Sequence, residues 1–115
     1  MEFRVSMAHF EMIRKGEKCV EIRLNDEKRQ ALQVGDTLTF CCLGTNKTIE
    51  TKVTRINHYK SFEEMVLYEP KKDIGYPFKT FPEIISIFQE FHTIEEENLY
   101  KIDGPLDLTV LKIDQ

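Results

Sequence analysis

The stretch from residue 6 to residue 24 changes from a helical to a strand-like pattern of apolar residues at a single glycine. Before Gly16, Phe10 and Ile13 lie on one side of a helix whose last turn carries cations, and glycine can take the positive φ that ends it. After Gly16, apolar and polar side chains alternate over residues 18–24, as in a strand with one buried face. The chain must therefore combine a helix and a strand within one short stretch.

The remaining sequence continues this mixture of elements. A short helix is predicted over residues 26–32, and residues 37–43 and 47–59 predict a long hairpin. The later predicted elements are a helix over 61–67, a loop over 70–80, a helix that starts at Pro82, a helix over 93–100 that begins with a Thr93 and Glu96 capping box, and a strand over 106–110. Because 115 residues suffice for one core, we expect a single α+β domain over residues 1–115.

Charge is unevenly distributed along the chain. The formal net charge of −4 argues against a protein that coats nucleic acid by bulk attraction. Residues 1–60 carry 11 Lys and Arg against 8 Asp and Glu, whereas residues 61–115 carry 5 against 12. One side of the fold can therefore be locally basic, although solvated helix faces produce the same asymmetry.

Composition also bounds the location and the chemistry that we expect. No stretch approaches the roughly 18 apolar residues of a membrane span, and the first residues do not resemble a secretory signal, so we expect a cytoplasmic protein without membrane contact. The three cysteines and three histidines lack the spacing of a zinc site or of a disulfide framework. We therefore predict neither a metal nor another cofactor.

The start of the first predicted strand carries a more specific pattern. Residues 16–24 read G-E-K-C-V-E-I-R-L, and V-G-D follows at residues 34–36, with Phe40 after it. This pattern resembles the ASCH-domain signature G-x-K-x-x-E-x-R-L with its downstream V-G-D turn, and the similarity continues through residues 59–64 and 91–100. The resemblance implies a small PUA-like β-barrel with flanking helices, whose cleft beside this strand is the region assigned to RNA or modified nucleosides in relatives.

One branch of the ASCH family implies a candidate catalytic set. That branch hydrolyses N4-acetylcytidine to cytidine and acetate with a Lys and a Thr from the first-strand motif and a Glu farther along. Lys18 matches the Lys, whereas Glu21 stands where that branch has Thr, so the hydroxyl nucleophile is absent. The downstream Glu corresponds to Glu90. The resemblance therefore implies Lys18, Glu21 and Glu90 as catalytic candidates.

The polar residues of this strand have both a ligand-binding and a structural interpretation. Arg23 presents a planar fork of donors suited to phosphate or carboxylate, and Glu21 on the same face can orient it or accept from a base amino group. The alternative is a buried ion pair that fixes the barrel. Lys18 can meet an anionic ligand or lose its proton when desolvated, or it can be an ordinary exposed lysine.

Other candidates lie outside the strand. Lys28 and Arg29 on the short helix can contact phosphates at the rim of the cleft, unless they are simply solvated charges. Aromatic side chains that can stack on a base, if they do not fill the core, are Tyr59, Tyr76, Phe78 and Tyr100.

The sequence leaves three functions open. The favoured one is a module that binds RNA or a nucleoside or nucleotide through Arg23, Lys18 and a stacking aromatic, without turnover. The second is an amidohydrolase for an acylated nucleoside, in which Glu21 activates water and Lys18 stabilises the oxyanion. The third is a protein-interaction or regulatory domain whose acidic C-terminal half, including residues 95–97, contacts a partner.

Overall fold

A curled five-stranded sheet forms the centre of the protein. The computed structural model describes residues 1–95 and 108–114. The strands are β1 (Glu2–Val5), β2 (Val20–Leu24), β3 (Thr37–Cys42), β4 (Thr48–Tyr59) and β5 (Leu108–Asp114). Their spatial order is β1-β3-β4-β5-β2, and the pairs are antiparallel except for the parallel pair of β1 with β3.

Five helices accompany the sheet in the described residues. They are α1 (Met7–Arg14), α2 (Glu27–Gln30), α3 (Phe62–Tyr68), α4 (Lys71–Ile74) and α5 (Phe81–Glu95). Ser6, Asp26 and Ser61 cap the first three, because each side chain accepts a backbone N–H three residues later. Among the residues with described structure, none of the helices is long and apolar enough to cross a membrane.

Apolar side chains pack on both faces of the sheet. One cluster joins the alternate apolar residues of β2 to α3, α4 and α5, with Met65, Ile74 and Ile84 fully buried. The second cluster joins α1 to the opposite face, where Phe10 and Ile13 pack with Leu111 and residues of β1 and β3. Since side chains alternate along a strand, β2 directs its apolar residues to the first cluster and Glu21 and Arg23 away from it.

The curl of the sheet brings its two edge strands, β1 and β2, together. Arg23 Nη2 on β2 donates a hydrogen bond of 3.2 Å to the carbonyl oxygen of Arg4 on β1. The Arg23 guanidinium also lies 4.7 Å from the centroid of the Phe3 ring. A side chain therefore links the two edges of this half-barrel, and the link begins in the motif of β2.

The structure confirms the predicted α+β class and the curled sheet, although several elements differ, and β5 extends to Asp114 rather than ending at residue 110. The four residues of β1 were not predicted as a strand. The predicted loop over 70–80 contains α4, and its Ile74 is fully buried. Helix α5 continues through Thr93, so Thr93 does not cap a new helix there. The remainder of the helix predicted over 93–100 lies outside the described residues from residue 96 onward, as does Tyr100.

Candidate functional site

Lys18 lies where α1, the start of β2 and the end of α4 meet. Its side chain is only 6% exposed. Lys18 Nζ lies 2.9 Å from His9 Nδ1 on α1 and 3.9 Å from Glu21 Oε1 on β2. An ammonium group has no lone pair to accept a hydrogen bond, so Lys18 donates to His9 when it is charged. The exposed-lysine interpretation of Lys18 is therefore wrong.

Gly75 forms a wall of this site. It ends α4 with a φ of +97°, a conformation that glycine adopts without steric cost. A Cβ atom at this position would lie 3.1 Å from His9 Cε1 and 3.2 Å from Lys18 Cδ. Glycine therefore permits both the helix end and the close approach of α4 to the other two elements.

Burial determines the protonation of these groups. It is the main cause that lowers the pKa of His9 to about 4; Lys18 lowers this pKa further and Glu21 opposes the shift. Burial also lowers the pKa of Lys18, against the attraction of Glu21. The Tyr76 ring packs edge-on against His9 at 5.2 Å, and burial, aided by Glu21, raises the Tyr76 pKa. His9 is thus neutral at pH 7 and can accept from Lys18 through Nδ1.

Glu21 is a buried carboxylate with unequal oxygens. The side chain is 8% exposed. Oε1 accepts a hydrogen bond of 3.3 Å from the backbone N–H of Ile22 and lies 3.9 Å from Lys18 Nζ and 3.8 Å from Arg23 Nε. Oε2 is buried and has no hydrogen-bond partner among the described residues. The two cations are thus near Glu21 at ion-pair distance, and one carboxylate oxygen is left for a further donor.

Two guanidinium groups lie over one aromatic ring, and the Arg23 group among them is within ion-pair distance of this carboxylate. Arg23 and Arg29 both lie over the Phe3 ring, with their central carbons 4.7 and 5.4 Å from its centroid. Arg29 on α2 is held by Asp26, whose carboxylate accepts from Nη1 at 2.5 Å. Arg29 Nε is buried and, within the described part of the chain, has no acceptor. We call His9, Lys18, Glu21, Arg23 and Arg29 the Glu21 cluster.

The other predicted site residues lie outside this cluster. Tyr59 is buried with the apolar residues of β2 on the other face of the sheet, and its hydroxyl donates to Glu69 at 3.3 Å. Lys28 is exposed on α2, and Glu90 is exposed on α5. Within the described residues, no hydrogen bond or salt bridge joins these three to the Glu21 cluster. Their ligand-binding and catalytic roles stay predictions that the geometry does not support.

A shallow hollow of about 310 Å³ borders Lys18 from another side. Its lining comes from the end of α1, the start of β2 and the end of β5: Ile13, Arg14, Lys15, Gly16, Lys18, Cys19, Ile113 and Asp114. Glu21 and Arg23 do not line it. This hollow is thus not the cleft that the sequence predicts beside the whole motif. Among Lys18, Glu21 and Arg23, the Arg23 side chain is the most accessible, at 22% exposed.

Sequence reasoning missed His9 and Gly75 as members or walls of the site. No sequence pattern around His9 indicates that it belongs to the site, since its contact with Lys18 depends on how α1 packs on the start of β2. In the described ranges, no group of three His, Cys, Asp or Glu side chains could hold a metal ion. The site therefore consists of cations, a carboxylate and aromatic rings.

The family of the chain follows from a comparison with family models. The ASCH domain model matches residues 4–102, which include the end of β1, the motif of β2 and the five helices of the described residues. The chain belongs to the ASCH domain family. The Glu21 cluster of this ASCH domain thus includes the strand motif on which the sequence resemblance rests.

Solved structures agree with the fold of this ASCH domain. The crystal structure of hypothetical protein PH0355 is similar with a TM-score of 0.72 and 27% identity, over 99% of this chain and 98% of that one. The solution NMR structure of protein PF0455 from Pyrococcus furiosus is similar with a TM-score of 0.67 and 28% identity, over 99% and 96%. A comparison with curated proteins finds no match.

Proposed function

We propose that this ASCH domain binds RNA or a modified nucleoside or nucleotide at the Glu21 cluster. The observation that carries the proposal is a pair of buried atoms without partners in the described residues, Glu21 Oε2 and Arg29 Nε. Native proteins satisfy nearly all buried polar groups, so both atoms call for an explanation. One needs a donor and the other an acceptor, and a nucleotide presents groups of both kinds.

The charges around these atoms suit the rest of a nucleotide. Arg23 and Arg29 both contact the Phe3 ring, so two planar cations lie around this one side chain. Guanidinium groups bind phosphate oxygens in a bidentate manner and are less strongly hydrated than ammonium groups. The partial exposure of Arg23 leaves it accessible to such an anion.

Aromatic groups near the cluster support the same ligand class. His9 is neutral at pH 7, and its ring packs against Tyr76, which is only partly buried. Aromatic faces stack on nucleobases with little regard to base identity. A base held between polar groups at its edge and an aromatic ring at its face is a common arrangement in RNA-binding sites.

The test is a titration of the protein with nucleosides and short single-stranded RNAs at two salt concentrations. We expect binding at micromolar protein that weakens with salt, and a loss of at least about tenfold in affinity in Glu21→Gln, because the amide removes one acceptor and the negative charge. Glu50→Gln, on the exposed face of β4, is the matched control and should bind like the wild type. Absence of salt-sensitive binding to all of these ligands would contradict the proposal.

The buried Lys18 favours hydrolysis of an acylated nucleoside as a second candidate. Burial lowers the pKa of Lys18, and a desolvated ammonium beside Glu21 can stabilise a developing oxyanion more strongly than a solvated one. Glu21 would act as the base that activates water in place of the missing Thr. Incubation with N4-acetylcytidine, followed by chromatography, tests this candidate. If the wild type and Glu21→Ala release the same trace of cytidine, it fails.

A further inference from the structure

The turn that follows α4 presents a phenylalanine to solvent. Residues 76–79 form this turn, with the Lys79 N–H directed to the Tyr76 carbonyl at 3.4 Å. Pro77 occupies the second position of the turn, as its fixed φ favours. Phe78 at the third position is 98% exposed. Single exposed apolar residues are common on protein surfaces, so the exposure of Phe78 indicates a binding role only if the neighbouring residues support one.

Those surroundings are basic and aromatic. Between residues 71 and 81 the chain carries three lysines and one acid, although its net charge is −4. Lys72 and Lys79 are exposed, and Lys71 Nζ lies 4.4 Å from the centroid of the partly exposed Phe81 ring. Alternating cations and aromatic rings are the composition of surfaces that bind single-stranded nucleic acid, where rings stack on bases and lysines meet phosphates.

The same segment forms part of the wall of the Glu21 cluster. Gly75 lies against His9 and Lys18, and Tyr76 packs on His9, only two residues before Phe78. A nucleotide at the Glu21 cluster would therefore be next to this turn. The nucleotides that continue from it would then run along Phe78 and the lysines, which are within a few residues of Gly75 and Tyr76 in the sequence.

We propose that residues 71–81 bind the nucleotides adjacent to the one held by the Glu21 cluster, so that the ligand is a single-stranded RNA rather than a free nucleoside. Phe78 stacks on a neighbouring base, and Lys72 and Lys79 contact the backbone phosphates. A duplex does not fit this role, because its bases are already stacked on one another and do not offer a free face. The inference rests on the proposed function and adds the strand as the ligand.

The experiment compares a free nucleoside with an oligonucleotide. The affinity of a fluorescently labelled eight-nucleotide RNA is measured by anisotropy, and that of the free nucleoside by calorimetry, in the wild type and in the double variant Phe78→Ala with Lys79→Ala. Leu43→Ala with Lys47→Ala, which removes an exposed apolar residue and a lysine from the β3–β4 turn, is the matched control. We expect RNA affinity to fall about 10- to 100-fold in the first variant alone. Nucleoside affinity should stay within about twofold.

Other outcomes overturn the inference in distinguishable ways. If the wild type binds the RNA no more tightly than the nucleoside, or if the Phe78 variant keeps its RNA affinity, the inference fails while the proposed function stands. If sedimentation instead shows that Phe78→Ala abolishes self-association and leaves RNA affinity unchanged, the turn is a contact between copies of the chain. If neither ligand binds the wild type, the proposed function itself fails.

Discussion

Two buried carboxylates of this ASCH domain, Glu21 and Glu69, have different surroundings. Glu69 follows α3 and is 2% exposed. Arg55 on β4 donates to its two oxygens at 2.8 and 2.9 Å, and the Tyr59 hydroxyl donates to one of them at 3.3 Å. Arg55 Nη1 also donates to Asn57 at 2.8 Å. Every oxygen of Glu69 is thus satisfied by the fold itself.

Glu21 is buried to a similar degree, yet its cations are 3.8 and 3.9 Å away and one of its oxygens has no partner in the described residues. A buried carboxylate is costly unless hydrogen bonds compensate for the lost water. Glu69 is compensated by a bidentate arginine and therefore fixes α3 to β4. For Glu21, hydrogen bonds compensate for the lost water only in part. This incomplete compensation, rather than burial, distinguishes the candidate ligand site from the structural ion pair of Glu69.

Removal of the Glu69 carboxylate should have the largest effect on stability. We expect Glu69→Gln to lower the free energy of unfolding by about 3 kcal/mol, because it breaks a bidentate pair and weakens the acceptor of the buried Tyr59 hydroxyl. Urea denaturation measures this change. Glu63→Gln, exposed on α3, should stay within about 0.5 kcal/mol of the wild type. Equal changes in the free energy of unfolding for the two variants would contradict a structural role of Glu69.

A side chain at Gly75 should disturb the other region. Gly75→Ala is expected to lower the free energy of unfolding by about 2 kcal/mol, because alanine is strained at positive φ and its Cβ would press on His9 and Lys18. Gly35 has the same φ of +97°, but a Cβ there would meet nothing within 4 Å. Gly35→Ala should therefore cost about 1 kcal/mol less in the same urea denaturation. Identical losses for Gly75→Ala and Gly35→Ala would show that the close approach of Gly75 to His9 and Lys18 does not affect stability.

The His9 pKa predicts an acid-sensitive contribution to stability. Its pKa is about 4 in the folded chain against 6.5 for an ordinary histidine, so the unfolded chain binds the proton more readily between these values. The contribution is fully present above pH 6.5 and is lost as the pH falls towards 4. Allowing for partial solvent exposure, we expect the wild type to lose about 1–2 kcal/mol more than His9→Gln between pH 7 and pH 4.5. Parallel urea-denaturation curves for the two proteins would contradict this expectation.

Glu21→Gln should have the smallest effect on stability. The amide keeps the shape of the side chain, and no short bond to a cation is lost, so we expect a change of about 1 kcal/mol or less in the free energy of unfolding. This result, beside the large loss for Glu69→Gln and a loss of nucleoside affinity, would separate the two carboxylates by function. A destabilisation as large as that of Glu69→Gln would assign both to the framework.

The elements that the sequence predicted are those with local signals. The helix before Gly16, the alternating strand after it and the hairpin of β3 and β4 each carry their periodicity or turn residues in consecutive positions. Strand β1 was missed because four residues are too few for a pattern, and its place depends on pairing with β3. Helix α4 was missed because Pro70 and Gly75 enclose only four residues, which the burial of Ile74 orders.

The candidate site was predictable to the same extent. Lys18, Glu21 and Arg23 share one strand, and they are close to each other for that reason. Arg29 joins them because α2 follows β2 directly and both guanidinium groups reach Phe3. His9 and Gly75 join them only through the packing of separate elements, and the hydrogen bonds of Tyr59 with Glu69 depend on where α3 ends. Contacts of this kind carry no signature in the sequence.

The bridge from Arg23 to Arg4 has a consequence for handling the protein. An exposed edge strand can form backbone hydrogen bonds with a strand of another polypeptide, and β1 and β2 are the two edge strands of this sheet. Because the Arg23 guanidinium spans the opening between these strands, its removal would leave two exposed edge strands on every molecule. Preparations of Arg23→Ala are therefore expected to form oligomers as concentration rises, which light scattering would detect.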